Sequence, residues 1–229
     1  LFVCSGTVDQ TSTALLTMAD RLEAKIQSGL TFLNLNAALT EPLQRYLSLL
    51  AKWNKPYNLT AVRQPLEMVS KHVMDSLSIA SHLTPYQRIC DVGTGAGLPG
   101  IPLALCFPEK NFVLLDSNGK KTRFLYQVRQ QLQLDNVDII ESRAEEYQPK
   151  IRADAVVTRA FSDVQRMCKV TEHLLNSTGV WLAMKAQTID TEIALLDSSI
   201  QLCEQVTLQV PGLDDVRQLA VLKRVERSK

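Results

Sequence analysis

Apolar positions change their rhythm once along the chain. Before Arg88 they recur at spacings of three and four. Leu15, Leu16, Ala19, Leu22 and Ile26 mark one face of a helix over 14–28. Leu43, Tyr46, Leu47, Leu50 and Trp53 mark a second over about 41–53, with Thr40 as N-cap, Pro42 in the first turn and Pro56 ending it. A third, over 66–83, turns Met68, Val69, His72, Val73, Leu77 and Ala80 inward. After Arg88, short β-branched runs alternate with helical stretches. Strands are expected at 88–92, 112–116, 137–141, 154–158, 179–185, 205–210 and 218–224, and helices at 99–106, 119–133, 163–175 and 189–199. This alternation predicts an α/β fold with a Rossmann-like, seven-stranded, mostly parallel doubly wound sheet. Only a short polar link separates the last two strands, so they should pair antiparallel. The expected organisation is a disordered tail at 1–17, an N-terminal helical extension at 18–86 packed on the main domain, and the α/β domain at 87–229.

Composition narrows the partners. The 229 residues are 45% hydrophobic and 21% charged, which suits one α/β domain plus a helical extension. Lys+Arg (25) and Asp+Glu (24) nearly cancel, so any contact with nucleic acid has to come from a local basic patch. Five scattered cysteines without a C-x-x-C pair fit a reduced, cytoplasmic protein, and three histidines far apart argue against a zinc site. No apolar run approaches the ~20 residues of a membrane span. A monomer is expected.

The candidate chemistry begins at Asp91–Pro102, "DVGTGAGLPGIP". Gly93, Gly95 and Gly97 read as G-x-G-x-G, while Gly95, Gly97 and Gly100 also satisfy G-x-G-x-x-G. Strand 88–92 delivers this loop to the carboxyl edge of the sheet, where open α/β folds bind ligands. Asp116 ends the next strand, where a carboxylate can accept both hydroxyls of a ribose. These features suit NAD and S-adenosylmethionine alike. Two others separate them. Asp91 precedes the first glycine by two residues, and its carboxylate repels a pyrophosphate but suits an ammonium or sulfonium. Pro99 and Pro102 remove N–H groups from the start of the following helix, weakening it as a pyrophosphate site. A Walker-type loop is excluded because no Gly-Lys-Ser/Thr follows. S-adenosylmethionine is therefore the expected cofactor. At the third strand's end, "ESRAEEY" places Glu145 or the backbone around Ala144 within reach of an adenine amine, or else supplies an ordinary polar helix cap. A nicotinamide-dependent oxidoreductase and a nucleotide-binding regulatory module are the competing classes.

"WNKPYNLTAVR" (Trp53–Arg63), "HVMDSL" (His72–Leu77), "DVGTGAGLPGIPLA" (Asp91–Ala104), "LLDSNGKKTRFL" (Leu114–Leu125), "SRAEEY" (Ser142–Tyr147), "AVVTRAF" (Ala155–Phe161) and a strand ending at Lys185 follow one another in this order. From about Leu39 to Lys223 the chain closely resembles the glucose-inhibited division protein B family of bacterial small-subunit (16S) ribosomal RNA guanine-N7 methyltransferases. Ala186 stands where that family usually has glycine, and Ser142 where it has glycine in "GRAE". The resemblance implies a class I methyltransferase acting on 16S ribosomal RNA, within the small subunit or a precursor particle. It implies that Gly93 and Leu98 line the S-adenosylmethionine pocket and that Gly95 and Gly97 form the same turn. It also implies that Asp116 binds the ribose, that Ala144 and Glu145 lie on the adenine side, and that Arg159 borders the methyl-transfer site.

Guanine N7 has a free lone pair and no proton, so its methylation needs placement rather than a general base. Arg159 is the first candidate for orienting the target, through guanine O6 or a phosphate. An ion pair with Asp154 or Asp163 is its structural alternative. Lys185, at the end of the fifth strand, is a second catalytic candidate, or else a solvated lysine. His72 and Asp75, three apart on a helix, read as a buried hydrogen-bonded pair tying the N-terminal helices to the sheet, or as the edge of the substrate pocket. Trp53 reads as core, and Asn54 and Asn58 as turn formers. "GKKTR" places Lys120, Lys121 and Arg123 at the start of a helix, and no acid intervenes from Ser117 to Leu134. With Arg143, Arg159 and Lys185 they would form a local RNA-binding surface.

Overall fold

A computed structural model describes residues 17–159, 161, 163–187 and 189–225. Of the expected tail at 1–17, residues 1–16, with Cys4, lie outside the described residues, and Thr17 belongs to the start of the first helix. Helix α1 (Met18–Phe32) opens on Thr17, whose hydroxyl accepts from the Asp20 amide while the Asp20 carboxylate accepts from the Thr17 amide, a reciprocal cap. Helix α2 (Thr40–Tyr57) is capped by Leu39 rather than Thr40. A short 3₁₀ turn (Ala37–Leu39) leads directly into it, and the Thr40 hydroxyl donates back to Ala37 O. Nor does α2 stop before Pro56. Proline forfeits a single backbone bond near the end, and the chain closes two residues later, where Asn58 adopts left-handed φ 50° and donates its amide to Asn54 O.

The third helix is broken into pieces. α3 (Pro65–Met68) passes into a π-helical segment (Val69–Met74), then α4 (Asp75–Leu77) and a 3₁₀ turn (Ala80–Leu83). Every residue expected to face inward on it is buried. The irregularity was invisible to a periodicity argument, because the π segment keeps the same side inward.

From Arg88 the order is β1 (Arg88–Val92), α5 (Gly100–Cys106), β2 (Asn111–Asp116), α6 (Gly119–Leu132), β3 (Val137–Glu141) and β4 (Ala153–Arg159). Then follow α7 (Val164–Thr171), β5 (Leu175–Lys185), α8 (Asp190–Ala194), β6 (Ile200–Thr207) and β7 (Gln218–Arg224). The strands form one seven-stranded sheet in the order β3-β2-β1-β4-β5-β7-β6, parallel except for the antiparallel β5–β7 and β7–β6 pairs. The expected 189–199 helix shrinks to α8, and β6 begins five residues before the expected 205. Alternate residues of that strand are exposed, so its sequence lacks the apolar run that marks the inner strands.

Inner strands send alternate side chains to opposite faces. Ile89, Leu114 and Val157 join Tyr46, Leu50, Val73 and Phe124 in one core, so the N-terminal helices and the sheet share a single apolar interior. Cys90, Val113 and Val156 join Met167 and Trp181 in the other. The active-site candidates lie where β1, β2, β3, β4 and β5 end along the carboxyl edge.

Candidate active site

At the end of β1, Asp91 is fully buried. Its Oδ2 accepts the Thr94 hydroxyl at 2.6 Å and the Gly100 amide at 2.7 Å, which folds the glycine loop back over the carboxylate. Oδ1 is buried without a hydrogen-bond partner among the described residues. Burial raises the Asp91 pKa to about 7, against the opposing pull of the two donors. Gly93 has φ +71°, and a Cβ there would point into open space. Gly100 is the reverse case: an added Cβ would lie 2.2 Å from Leu114 Cδ2 and 2.7 Å from Asp91 Oδ2.

Asp116 ends β2 almost fully buried. Its Oδ1 accepts the Asn118 amide at 2.9 Å; Oδ2 accepts the Gly95 amide at 2.9 Å and faces Lys121 Nζ at 3.4 Å. A cleft of about 290 Å³ opens beside it, lined by Gly93, Asp116, Lys121, Arg143, Ala144, Glu145 and Phe161. Of the residues expected to hold cofactor, Gly93, Asp116, Ala144 and Glu145 are thus brought together. Asp91, Gly95, Gly97 and Leu98 shape the loop without lining the cleft. Arg159 lines a neighbouring cavity instead.

That second cavity, about 450 Å³, is walled by Arg159, Lys185, Lys71, His72, Asp75, Arg217 and Phe161. Phe161 belongs to both cavities. Arg159 does not pair with Asp154, which accepts the Gln87 and Arg88 amides, nor with Asp163, which caps α7 through the Arg166 amide. Its Nη1 donates to Asp75 Oδ2 at 3.0 Å and to Lys71 O at 3.1 Å. Arg217 Nε donates to the other Asp75 oxygen at 3.0 Å. Among the described residues, Arg159 hydrogen-bonds through Nη1 alone, which leaves Nη2 and Nε for a ligand.

His72 and Asp75 both line this cavity, but they do not bond each other. His72 Nε2 meets Thr60 Oγ1 at 2.7 Å and Nδ1 meets Lys71 O at 3.0 Å. The irregular helix turns the two side chains toward different partners. Burial, and then the Arg159 charge, lowers the His72 pKa to about 4, so the imidazole is neutral near pH 7. Asn54 fixes the adjacent loop by donating to Val62 O and accepting from the Thr60 amide. Trp53 is half-buried against Tyr57 and Phe124. Lys185 is not solvated: its ammonium lies 2.7 Å from Phe161 O and 2.8 Å from Glu192 Oε1. Lys120, Arg123 and Arg143 are exposed, and Lys121 is partly covered by Asp116. Arg217, Glu192 and Phe161 carried no sequence signal beyond "RAF". They matter through contacts made by chain segments far apart.

The start of α5 decides the ligand class. The Gly100 amide goes to Asp91, Ile101 N to Gly97 O and Leu103 N to Pro99 O, while Pro102 has no N–H. No donor of that turn is left for a pyrophosphate. A sheet with β7 inserted antiparallel beside β5 is the fold of class I methyltransferases, and among the described residues the start of α5 offers no phosphate cradle. The same fold recurs in the ribosomal protein L11 methylase of Lactobacillus delbrueckii subsp. bulgaricus (TM-score 0.52, 15% identity, 67% of this chain and 77% of that one). It recurs also in the M. jannaschii TYW2 complex with AdoMet (TM-score 0.51, 17% identity, 66% and 77%). The model of the GidB family, rRNA small subunit methyltransferase G, matches residues 39–220, and the chain belongs to that family. It is 48% identical to ribosomal RNA small subunit methyltransferase G of Pseudomonas syringae pv. syringae, over 84% of this chain and 89% of the relative. Its identity to the Chromobacterium violaceum protein of that name is also 48%, over 86% and 95%. The protein is an S-adenosylmethionine-dependent methyltransferase. The residues present fit that cofactor: open space above Gly93 and the Asp116 carboxylate at the cleft wall.

Proposed function

We propose that this enzyme methylates N7 of a guanine in 16S ribosomal RNA, acting as a cytoplasmic monomer on the small subunit or a precursor particle. The observation that carries the reading is the pair of cavities sharing Phe161, one with Asp116 at its wall and the other presenting Arg159. S-adenosylmethionine, when bound, supplies a methyl group made electrophilic by its sulfonium. Gly93, Asp116, Ala144 and Glu145 would hold it in the smaller cavity.

The chain's own work is placement. N7 offers its lone pair without losing a proton, so no side chain has to act as base. The second cavity is consistent with that. His72 is held neutral with both ring nitrogens engaged, and Asp75 is neutralised by two arginines. Arg159 has Nη2 and Nε, unbonded among the described residues, with which to grip guanine O6 or a neighbouring phosphate, while Asp75 fixes its Nη1 edge. Lys120, Arg123 and Arg143 are exposed on the cofactor side of the carboxyl edge and would take the RNA backbone.

The test is transfer of a tritiated methyl group to small subunits lacking their own modifications, followed by mapping of the labelled nucleotide. Label on a 16S guanine N7 is expected. Label on an exocyclic amine, or on protein only, would overturn the assignment.

A further inference from the structure

Glu192 lies on α8, outside every motif read from the sequence. Its two carboxylate oxygens do different things. Oε1 faces Lys185 Nζ at 2.8 Å, and Oε2 accepts the Val164 amide, the first of α7, at 3.0 Å. Lys185 in turn donates to Phe161 O at 2.7 Å. Val164 and Phe161 are therefore both held by one carboxylate, directly at Val164 and through Lys185 at Phe161. The Lys185 side chain is only 11% exposed, so its ammonium is committed inward. Phe161 packs against the core beneath the sheet and forms the wall common to the two cavities.

We propose that Glu192 is a positioning residue for methyl transfer. Through Lys185 and the Val164 amide it fixes Phe161 as the partition across which donor and guanine meet. The inference rests on the function proposed above, because a shared wall matters only if donor and acceptor occupy the two sides. It also reassigns Lys185, from a contact to O6 or phosphate to the middle of this latch. A displaced wall would leave both ligands bound but misaligned, and an error of about 1 Å in such alignment costs on the order of a hundredfold in rate.

The test uses full-length protein, small subunits lacking the modification, and S-adenosylhomocysteine as binding probe. Glu192→Ala should lower kcat about tenfold or more while leaving KM for the subunit and the probe's affinity within about twofold. Glu192→Gln keeps one acceptor oxygen, enough for the Val164 amide, but loses the ion pair with Lys185, so it should restore the rate only in part. In a Phe161→Ala background, Glu192→Ala should cost less than about twofold, since no ring remains to position. Lys185→Met is the second variant should Glu192→Ala fold poorly, and it should give the same kcat loss and the same non-additivity. Amide exchange at Val164 should quicken in Glu192→Ala and not in Glu192→Gln. An unchanged kcat, a rate gain with lower KM (an acid that merely repels RNA), or full additivity with Phe161→Ala would overturn the proposal. Unaltered exchange at Val164 would sink the latch whatever the RNA result. Absence of labelling by the unsubstituted enzyme would instead count against the proposed function alone.

Discussion

The carboxylate of Asp75, on α4, lies 3.0 Å from the guanidinium of Arg159 at the end of β4. Arg217 closes on the other oxygen at the same distance. One buried acid thus joins an N-terminal helix, a central strand and the loop before β7. Asp75→Ala should cost about 2 kcal/mol in chemical denaturation, less than a fully buried pair because both arginines keep some solvent contact. Arg159→Ala should behave differently, since Asp75 retains Arg217. Its stability should stay within about 1 kcal/mol, and S-adenosylhomocysteine should bind as before. Methyl transfer should drop tenfold or more, on the order of 1.4 kcal/mol of barrier. Normal turnover in that variant would remove Arg159 from the mechanism.

Asp116 holds the Gly95 amide and the Asn118 amide, so it shapes the cleft as well as facing it. Asp116→Asn preserves one acceptor oxygen but offers an amide where a ribose hydroxyl would donate. Calorimetry with S-adenosylhomocysteine should show affinity reduced about tenfold or more, as for loss of a charge-assisted hydrogen bond. Unchanged affinity would show that the acid serves the loop alone.

Two glycines of the loop should respond to alanine in opposite ways. At Gly93 the added methyl meets open space, so the cost to folding is confined to the left-handed backbone, about 1–2 kcal/mol. Its methyl would occupy room meant for ligand, and cofactor affinity should fall. At Gly100 the methyl collides with Leu114 and with Asp91 Oδ2, both in the packed interior. Gly100→Ala should therefore lower stability by about 3 kcal/mol, close to the upper end for overpacking. Melting with and without S-adenosylhomocysteine separates the two effects.

The sequence made the fold legible wherever a residue's environment is local in character. β1 and β3 have the bounds expected of them, 88–92 and 137–141, and the glycine loop follows β1 as its spacing requires. Helix ends were harder. Pro56 marks a stop by its chemistry, yet the helix passes it because the loss falls in a terminal turn. β6 was misplaced because an edge strand needs no continuous apolar run. At the site, Gly93, Asp116, Ala144 and Glu145 were readable as successive strand ends on one edge of the sheet. The partners of Arg159 were not. Asp154 and Asp163 are near in sequence, whereas Asp75 is 84 residues away and comes close only because the irregular α3–α4 segment packs on that edge. Glu192 and Arg217 escaped for the same reason.

Two buried titrating groups pull stability in opposite directions with pH. His72 has its pKa lowered from 6.5 to about 4 by burial and by Arg159, so the unfolded chain binds more protons than the folded one between those values. Its contribution is therefore complete above about pH 6.5 and is lost as pH falls through 4. Asp91 is raised from 3.8 to about 7 by burial, so the folded chain holds the extra proton. Its contribution is complete below 3.8 and is lost as pH rises through 7. His72→Gln should flatten the decline of stability from pH 6.5 to 4. Asp91→Asn keeps an acceptor oxygen for Thr94 and Gly100 and removes the buried charge. It should gain stability relative to the parent as pH rises from 5 to 8, while weakening cofactor binding by removing the buried carboxylate beneath the loop. Denaturant titrations at four pH values across 4–8 measure both slopes. If Asp91→Asn tracks the parent at every pH, the buried carboxyl is titrating as an ordinary aspartate, ionised across the whole of that range, and the predicted upward shift is wrong.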